Sequence, residues 1–173
     1  MRESVWPSMG WDRAYHYLRH RILRRGATPA EIASGLAIGA GVSFTPLLGT
    51  HLAQAAFFAW IFRANVVSSM VGTAAGNPWT FPFMFMLSYK VGELIFAIFG
   101  AHDLIAMPDI VTMQYLIDHP FRLMLPMVLG GYVCALIAWP VFYVLLYYPV
   151  HKMHLAYRHQ KMKRQRMKKM GPS

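Results

Sequence analysis

Two proline-centred breaks contain the residues of this chain whose types and spacing could bind a ligand. The first break contains Thr45 and Pro46, with His51 a few residues later, and the second contains Asn77 and Pro78. A cap residue followed by proline favours the start of a helix, whose first N–H groups are unpaired and carry partial positive charge. Two such helix starts that converge inside a membrane would bind an anion, whereas breaks that only shape a helical bundle would have the same sequence.

The few charged residues in the middle of the chain are further candidates for a binding site. Residues 32–119 contain only two basic side chains, Arg63 and Lys90. Lys90 stands three residues before Glu93, so the two share one helix face. A charge pair in lipid is unfavourable and therefore indicates function by default, although an internally neutralised structural pair fits the same pattern.

Metal, disulfide and enzyme sites have little support in the sequence. Cys134 is the only cysteine, which excludes a disulfide scaffold and a zinc site built from paired cysteines. His151 and His154 have a spacing that suits a metal on a helix, but no carboxylate or cysteine accompanies them. Catalytic sequence motifs are missing, and Glu93 is the only carboxylate of the apolar middle. We therefore expect no enzyme activity, no metal and no cofactor.

The composition places these residues in a membrane. Apolar types make up 56% of the 173 residues and charged types only 14%, against about a quarter in soluble domains. Of the 17 Lys and Arg, six lie in residues 1–31 and eight in residues 151–173. We therefore expect a basic amphipathic interfacial segment over residues 1–27, a membrane domain over 28–150, and a basic, mobile cytoplasmic tail over 151–173.

The expected elements are helices that proline and glycine interrupt. Thr28, Pro29 and Glu31 form a capping-box signal at the start of the first uncharged run, over residues 32–62. Pro46 divides this run, and we expect it to start a new helix with Thr45 as the cap, so that neither piece spans a bilayer. The fold class is an all-α integral membrane bundle with broken, re-entrant helices. The alternative is three crossings by kinked helices between Glu31 and Ala101, before the return crossing.

The next two runs supply the expected crossings. In residues 64–89 the break at Pro78 precedes a helix expected to run from Trp79 towards Ala101. Residues 123–150 form a return crossing. Both basic termini should be cytoplasmic, the acidic segment 101–122 should lie outside, and Arg63 fits a cytoplasmic turn. Glycines before and after the first break should let the helices approach closely.

Short motifs in residues 28–150 resemble a bacterial family known as domain of unknown function 2062. The motifs are Gly35-x-Ala37-x-Gly39, Phe44-x-Pro46-x-x-Gly49, Arg63-x-Asn65, Gly72-Thr73, Asn77-Pro78-x-Thr80-x-Pro82 and Tyr89-x-x-Gly92. The resemblance implies a protein of the bacterial cytoplasmic (inner) membrane and brings no activity with it. The residues predicted to bind a substrate are Thr45, Pro46, Gly49, His51, Arg63, Asn65, Asn77, Pro78, Thr80, Lys90 and Glu93.

The favoured function is a small carrier or binder of an anionic, lipid-borne substrate at the converging helix starts. A non-transporting scaffold or assembly factor that acts through its basic termini is the alternative. The expected partners are membrane lipids, mainly anionic, with a homo-oligomer as a further option. No specific nucleic acid is expected, because anionic lipid is the nearer partner of a basic tail beside a crossing.

Overall fold

The computed structural model describes residues 27–101, Ile105 and residues 120–170, and every element within them is helical. The elements in chain order are α1 (Pro29–Val42), α2 (His51–Ile61), α3 (Val66–Gly72), a 3-10 turn (Thr73–Ala75), α4 (Phe81–Ile98) and α5 (Pro120–Met170). The segment predicted to be amphipathic lies outside the described residues apart from Ala27, and most of the acidic segment 101–122 lies outside them as well.

The capping box predicted at the start of α1 is confirmed. The Thr28 N–H donates to Glu31 Oε2 at 2.9 Å, and the Glu31 N–H donates to Thr28 Oγ1 at 3.2 Å. Pro29 occupies the first helical position, where its missing N–H removes no hydrogen bond. The sequence alone therefore fixes where this helix begins.

The helix restart predicted at Pro46 was wrong. Thr45 does not cap a following helix, because its hydroxyl donates back to the Val42 carbonyl at 2.9 Å at the end of α1. The chain then turns, and α2 begins only at His51. α1 and α2 have 14 and 11 residues, about 21 and 17 Å, so neither spans a hydrocarbon core of about 30 Å.

The second break is longer than the sequence indicated. Asn65 caps α3 by accepting a hydrogen bond from the Ser68 N–H at 2.9 Å. After the 3-10 turn, residues 78–80 form a further turn, so α4 begins at Phe81 rather than at Trp79. It ends at Ile98, close to the predicted end.

α5 continues through the segment that we expected to be a mobile tail. It is one helix of 51 residues, about 77 Å long, with Pro126, Pro140 and Pro149 inside it. The residues after Val150 are mostly Lys, Arg, Gln, Met and Leu, which favour helix, so the helical conformation extends to Met170. By length and composition, α4 and α5 are able to cross a membrane.

The contact between α1 and α3 depends on glycine. A Cβ atom on Gly39 would overlap the Ser69 carbonyl oxygen, and one on Gly72 would overlap the Leu36 carbonyl oxygen. The two backbones therefore approach as closely as small residues allow, which confirms the close approach predicted from the glycine spacing.

The contact between α4 and α5 follows the same rule. A Cβ on Gly92 would overlap the Pro126 carbonyl oxygen, and one on Gly130 would overlap the Ser88 carbonyl oxygen. α4 thus contributes Ser88 and Gly92 to this contact, and α5 contributes Pro126 and Gly130, each pair being four positions apart. This pairing fixes the height of α4 along α5 and, with it, the height of the break before α4.

Candidate functional site

The two breaks lie against each other, and we call this region the junction (residues 43–51 and 76–81). The Ser43 hydroxyl lies 3.3 Å from the Thr73 carbonyl oxygen, and a Cβ on Gly76 would lie 2.8 Å from Ser43 Oγ. The rings of His51 and Phe81 stack with centroids 5.8 Å apart. These two residues are the first of α2 and α4, so the structure brings the two helix starts together.

The polar groups at the second break satisfy one another. Asn77 Oδ1 accepts hydrogen bonds from the Trp79 and Thr80 N–H groups at 3.0 and 3.1 Å. The Thr80 oxygen accepts from the Asn77 N–H at 3.0 Å and lies 2.8 Å from the Ala75 carbonyl oxygen. The N–H groups that follow Pro78 are therefore capped from within the protein, which leaves few donors for an external anion there.

The first break is closed in the same way along most of its length. The Thr50 hydroxyl donates to the Leu47 carbonyl at 2.7 Å. His51 Nε2 lies 3.0 Å from the Thr45 carbonyl oxygen, which can only accept, so this nitrogen carries the proton. Gly49 has φ +86°, in the left-handed region, and its Cβ direction is open. The first turn of α2, on the exposed side of the junction, keeps N–H groups without an intrahelical partner.

Ser88 joins α4 to the junction and was missed in the sequence. Its hydroxyl lies 2.8 Å from both the Phe44 and the Met84 carbonyl oxygens, and the side chain is fully buried. A small polar residue in an apolar helix, four positions before Gly92, was the available signal. It holds the carbonyl of an irregular segment that would otherwise be unpaired.

Arg63 lies at the opposite end of α2 from the junction. The Arg63 N–H donates to the Trp60 carbonyl at 3.2 Å, and the Ala64 N–H donates to the Ala59 carbonyl at 2.8 Å. These two bonds form a Schellman motif, which places Arg63 in the left-handed region with φ 52°. α4 ends in the same motif, but there the position is held by Gly100 with φ 67°.

A cavity of about 410 Å³ opens beside Arg63, and we call it the Arg63 pocket. The Asn65 N–H donates to the Glu31 carbonyl oxygen at 3.0 Å, which draws the end of α2 towards the start of α1. α5 completes the wall. The residues that line the pocket include Glu31, Ser34, Phe62, Arg63, Trp139 and Tyr143.

The aromatic wall of the Arg63 pocket is fixed by contacts of its own. The rings of Phe62 and Trp139 have centroids 4.9 Å apart, and Trp139 Nε1–H donates to Ser34 Oγ at 3.3 Å. The guanidinium of Arg63 has no hydrogen bond or ion pair among residues 27–101, 105 and 120–170. Its only carboxylate neighbour in the pocket is Glu31.

Lys90 and Glu93 belong to neither region. They form an ion pair of 2.9 Å on α4, with side chains 67% and 33% exposed. Lys90 stands nine residues after Phe81, about 14 Å further along the helix. The predicted set of binding residues is thus divided by the structure into the junction, the Arg63 end and an exposed pair. In the described part of the chain, no three His, Cys, Asp or Glu side chains are placed to hold a metal ion.

Comparison with known proteins gives a family. A family model matches residues 12–159, most of the chain, which includes the junction and the Arg63 pocket. No curated protein and no solved structure matches the chain. The family motifs around the two breaks and Arg63 therefore have a structural context here, and the chain belongs to the family described as "uncharacterized protein conserved in bacteria (DUF2062)".

Proposed function

We propose that this protein is a multi-pass protein of the bacterial cytoplasmic membrane that binds or carries a phosphate-bearing lipid at the Arg63 pocket. α4 and the apolar part of α5 are the two crossings, and α1 to α3 enter the bilayer without crossing it. Both termini lie in the cytoplasm, because Lys and Arg concentrate there.

The exposed surface supports the membrane part of this proposal. Large apolar side chains point outward on several helices, among them Trp60, Leu136 and Val144 at 72%, 64% and 70% exposure. Water-soluble monomers rarely expose contiguous apolar areas of this kind. Hydrocarbon is the solvent that such a surface fits.

The proposal that the protein binds a phosphate-bearing ligand depends on one observation, the guanidinium of Arg63 that is unpaired within the described part of the chain. The guanidinium has no partner among the described residues, and Arg63 is one of the residues that line a cavity. Its backbone adopts a left-handed conformation that glycine would adopt without strain. Guanidinium binds phosphate oxygens through paired hydrogen bonds, and a cation at headgroup depth attracts anionic groups.

A second cavity favours a lipid over free phosphate. It has a volume of about 220 Å³ and shares Phe62 and Trp139 with the Arg63 pocket. Its other walls are mainly apolar, and the one phenol among them, Tyr132, donates its O–H to Gln54 Oε1 at 3.0 Å. A headgroup beside Arg63 would thus have an apolar cavity next to it for part of an acyl chain.

The junction has a structural role in this proposal. Its hydroxyl and amide side chains already bond to the backbone of the two breaks, as the contacts of Thr45, Asn77 and Thr80 indicate. The anion predicted at the converging helix starts is therefore assigned to the other end of α2.

The experiment compares Arg63→Gln with Lys90→Gln, which removes the other cation of residues 32–119. Each full-length protein is purified in mild detergent, and bound phospholipid is measured by native mass spectrometry. We expect Arg63→Gln to lose most of the bound phospholipid and Lys90→Gln to retain it as the wild type does. Equal retention by both variants would refute the proposal.

A scaffold function is the second candidate, and the helical tail favours it. α5 carries Lys152, Arg158, Lys163 and Arg166 on a helical extension beyond the apolar run, suited to an acidic partner. Deletion of residues 158–173 would then abolish complementation of a gene knockout, whereas Arg63→Gln would complement fully. Full complementation by the deletion variant, with loss of complementation by Arg63→Gln, would instead support lipid binding.

A further inference from the structure

We infer that the Arg63 pocket selects a zwitterionic headgroup with a phosphate and a primary ammonium, the phosphoethanolamine type. This inference rests on the proposed lipid site and adds the identity of its ligand. It comes from Glu31, which the proposed function does not use.

The Arg63 pocket is lined by two residues of opposite charge that do not form an ion pair. Glu31 and Arg63 both face the same cavity, yet no ion pair joins them. Their backbones are held close to each other, because the Asn65 N–H donates to the Glu31 carbonyl oxygen at 3.0 Å. Two exposed charges at one cavity that are not paired with each other are both available to a ligand that carries both signs.

The carboxylate of Glu31 has capacity for an ammonium ligand. Its Oε2 accepts one hydrogen bond, from the Thr28 N–H at 2.9 Å, and Glu31 is exposed. A carboxylate accepts about four hydrogen bonds in total. The hydrogen bond from the Thr28 N–H also holds the Glu31 carboxylate in one position.

A purely anionic headgroup fits this pocket less well. Phosphate beside Arg63 would be attracted by the guanidinium, but Glu31 would repel it and would gain no counter-charge from the headgroup. In a headgroup that also carries an ammonium, the positive charge would lie towards Glu31, and Trp139 and Tyr143 line the same cavity as aromatic residues that attract cations.

A primary ammonium fits better than a quaternary one. Its N–H groups donate hydrogen bonds to a carboxylate, whereas a trimethylammonium group has none to donate. The cavity of about 410 Å³ lies within the range of about 300–1,000 Å³ that is usual for small-molecule sites.

Glu31→Gln tests the inference with little effect on the fold. Glutamine at this position still accepts the capping hydrogen bond from Thr28, because the capping box accepts Glu or Gln. The full-length wild type, Glu31→Gln and Arg63→Gly are each placed in nanodiscs of phosphatidylethanolamine, phosphatidylglycerol and phosphatidylcholine in equal amounts. The lipids that stay bound after release into detergent are identified by native mass spectrometry.

We expect the wild type to prefer phosphatidylethanolamine by about tenfold, the effect of one hydrogen bond to a charged group. Glu31→Gln should still bind phospholipid but lose this preference. Arg63→Gly should lose binding of all three while its melting temperature without lipid does not fall, since glycine suits the left-handed backbone.

The outcomes separate this inference from the proposed function. Equal binding of the three lipids by the wild type, with loss in Arg63→Gly, would refute the headgroup selectivity and leave the lipid site standing. Unchanged binding in Arg63→Gly would refute both. Soluble O-phosphoethanolamine is added as a competitor in a separate arm. If soluble O-phosphoethanolamine displaces the bound phospholipid, the pocket recognises the headgroup whether it is free or part of a lipid. If the phospholipid stays bound in its presence, the pocket recognises the headgroup only as part of a membrane lipid. Both results support the inference.

Discussion

Replacement of Arg63 by glycine should stabilise the lipid-free protein. Arg63 ends α2 in a Schellman motif with φ 52°, and a left-handed conformation costs a residue with a side chain about 1–2 kcal/mol. Glycine removes that strain but loses about 0.5–1 kcal/mol through its greater freedom in the unfolded chain. The difference is a gain of about 0.5–1 kcal/mol, because the guanidinium has no hydrogen bond or ion pair among the described residues to lose.

The matched control is Gly100→Ala at the end of α4. Gly100 holds the same position of the same motif with φ 67°, and its Cβ direction is open, so the change tests backbone strain without a steric clash. We expect it to destabilise the protein by about 1 kcal/mol.

Thermal unfolding of the delipidated proteins in detergent measures both effects. At about 2–4 °C per kcal/mol for a chain of this size, Arg63→Gly should raise the melting temperature by about 2 °C and Gly100→Ala should lower it by about 3 °C. Added phospholipid should raise the melting temperature of the wild type and leave that of Arg63→Gly unchanged. A lower melting temperature for lipid-free Arg63→Gly would refute the reasoning, since the arginine would then stabilise the fold itself.

Two other changes test how the helices are positioned. Gly92→Ala should destabilise the protein by about 1–3 kcal/mol, because the added methyl group would overlap the Pro126 carbonyl between α4 and α5. Gly41→Ala is the control in the same unfolding assay, and we expect a smaller effect because the nearest atom to its Cβ lies 3.1 Å away. Asn77→Ala should lose the capping bonds to Trp79 and Thr80 and about 1 kcal/mol of stability while phospholipid binding by mass spectrometry stays at the wild-type level. Loss of lipid at unchanged stability in Asn77→Ala would instead place the ligand at the junction.

The local start and stop signals could be predicted because they depend on a few neighbouring residues. Thr28 and Glu31 are three positions apart, and the capping box they form needs no other part of the chain. The glycine pattern likewise predicted close helix contacts at Gly39 and Gly72, since only small residues permit them. The all-helical class and the two breaks followed from the same kind of pattern.

The hydrogen-bond partner of each polar group could not be predicted in this way. Thr45 precedes a proline as a cap residue would, yet its hydroxyl bonds to the Val42 carbonyl, because α1 ends there and the last carbonyl oxygens of a helix have no i+4 N–H partner. Arg63 carries no sign of a left-handed position, which glycine usually marks.

Composition and spacing by themselves determined that this chain forms apolar helices, where α1 begins and where proline interrupts the runs, because these properties are local. Only the tertiary structure decided that the junction is closed by its own hydrogen bonds and that Glu31 and Arg63 line one cavity. These residues are far apart along the chain, and the packing of α1, α2 and α5 brings them together. That packing depends on which glycines meet which carbonyls, and no short segment contains this information.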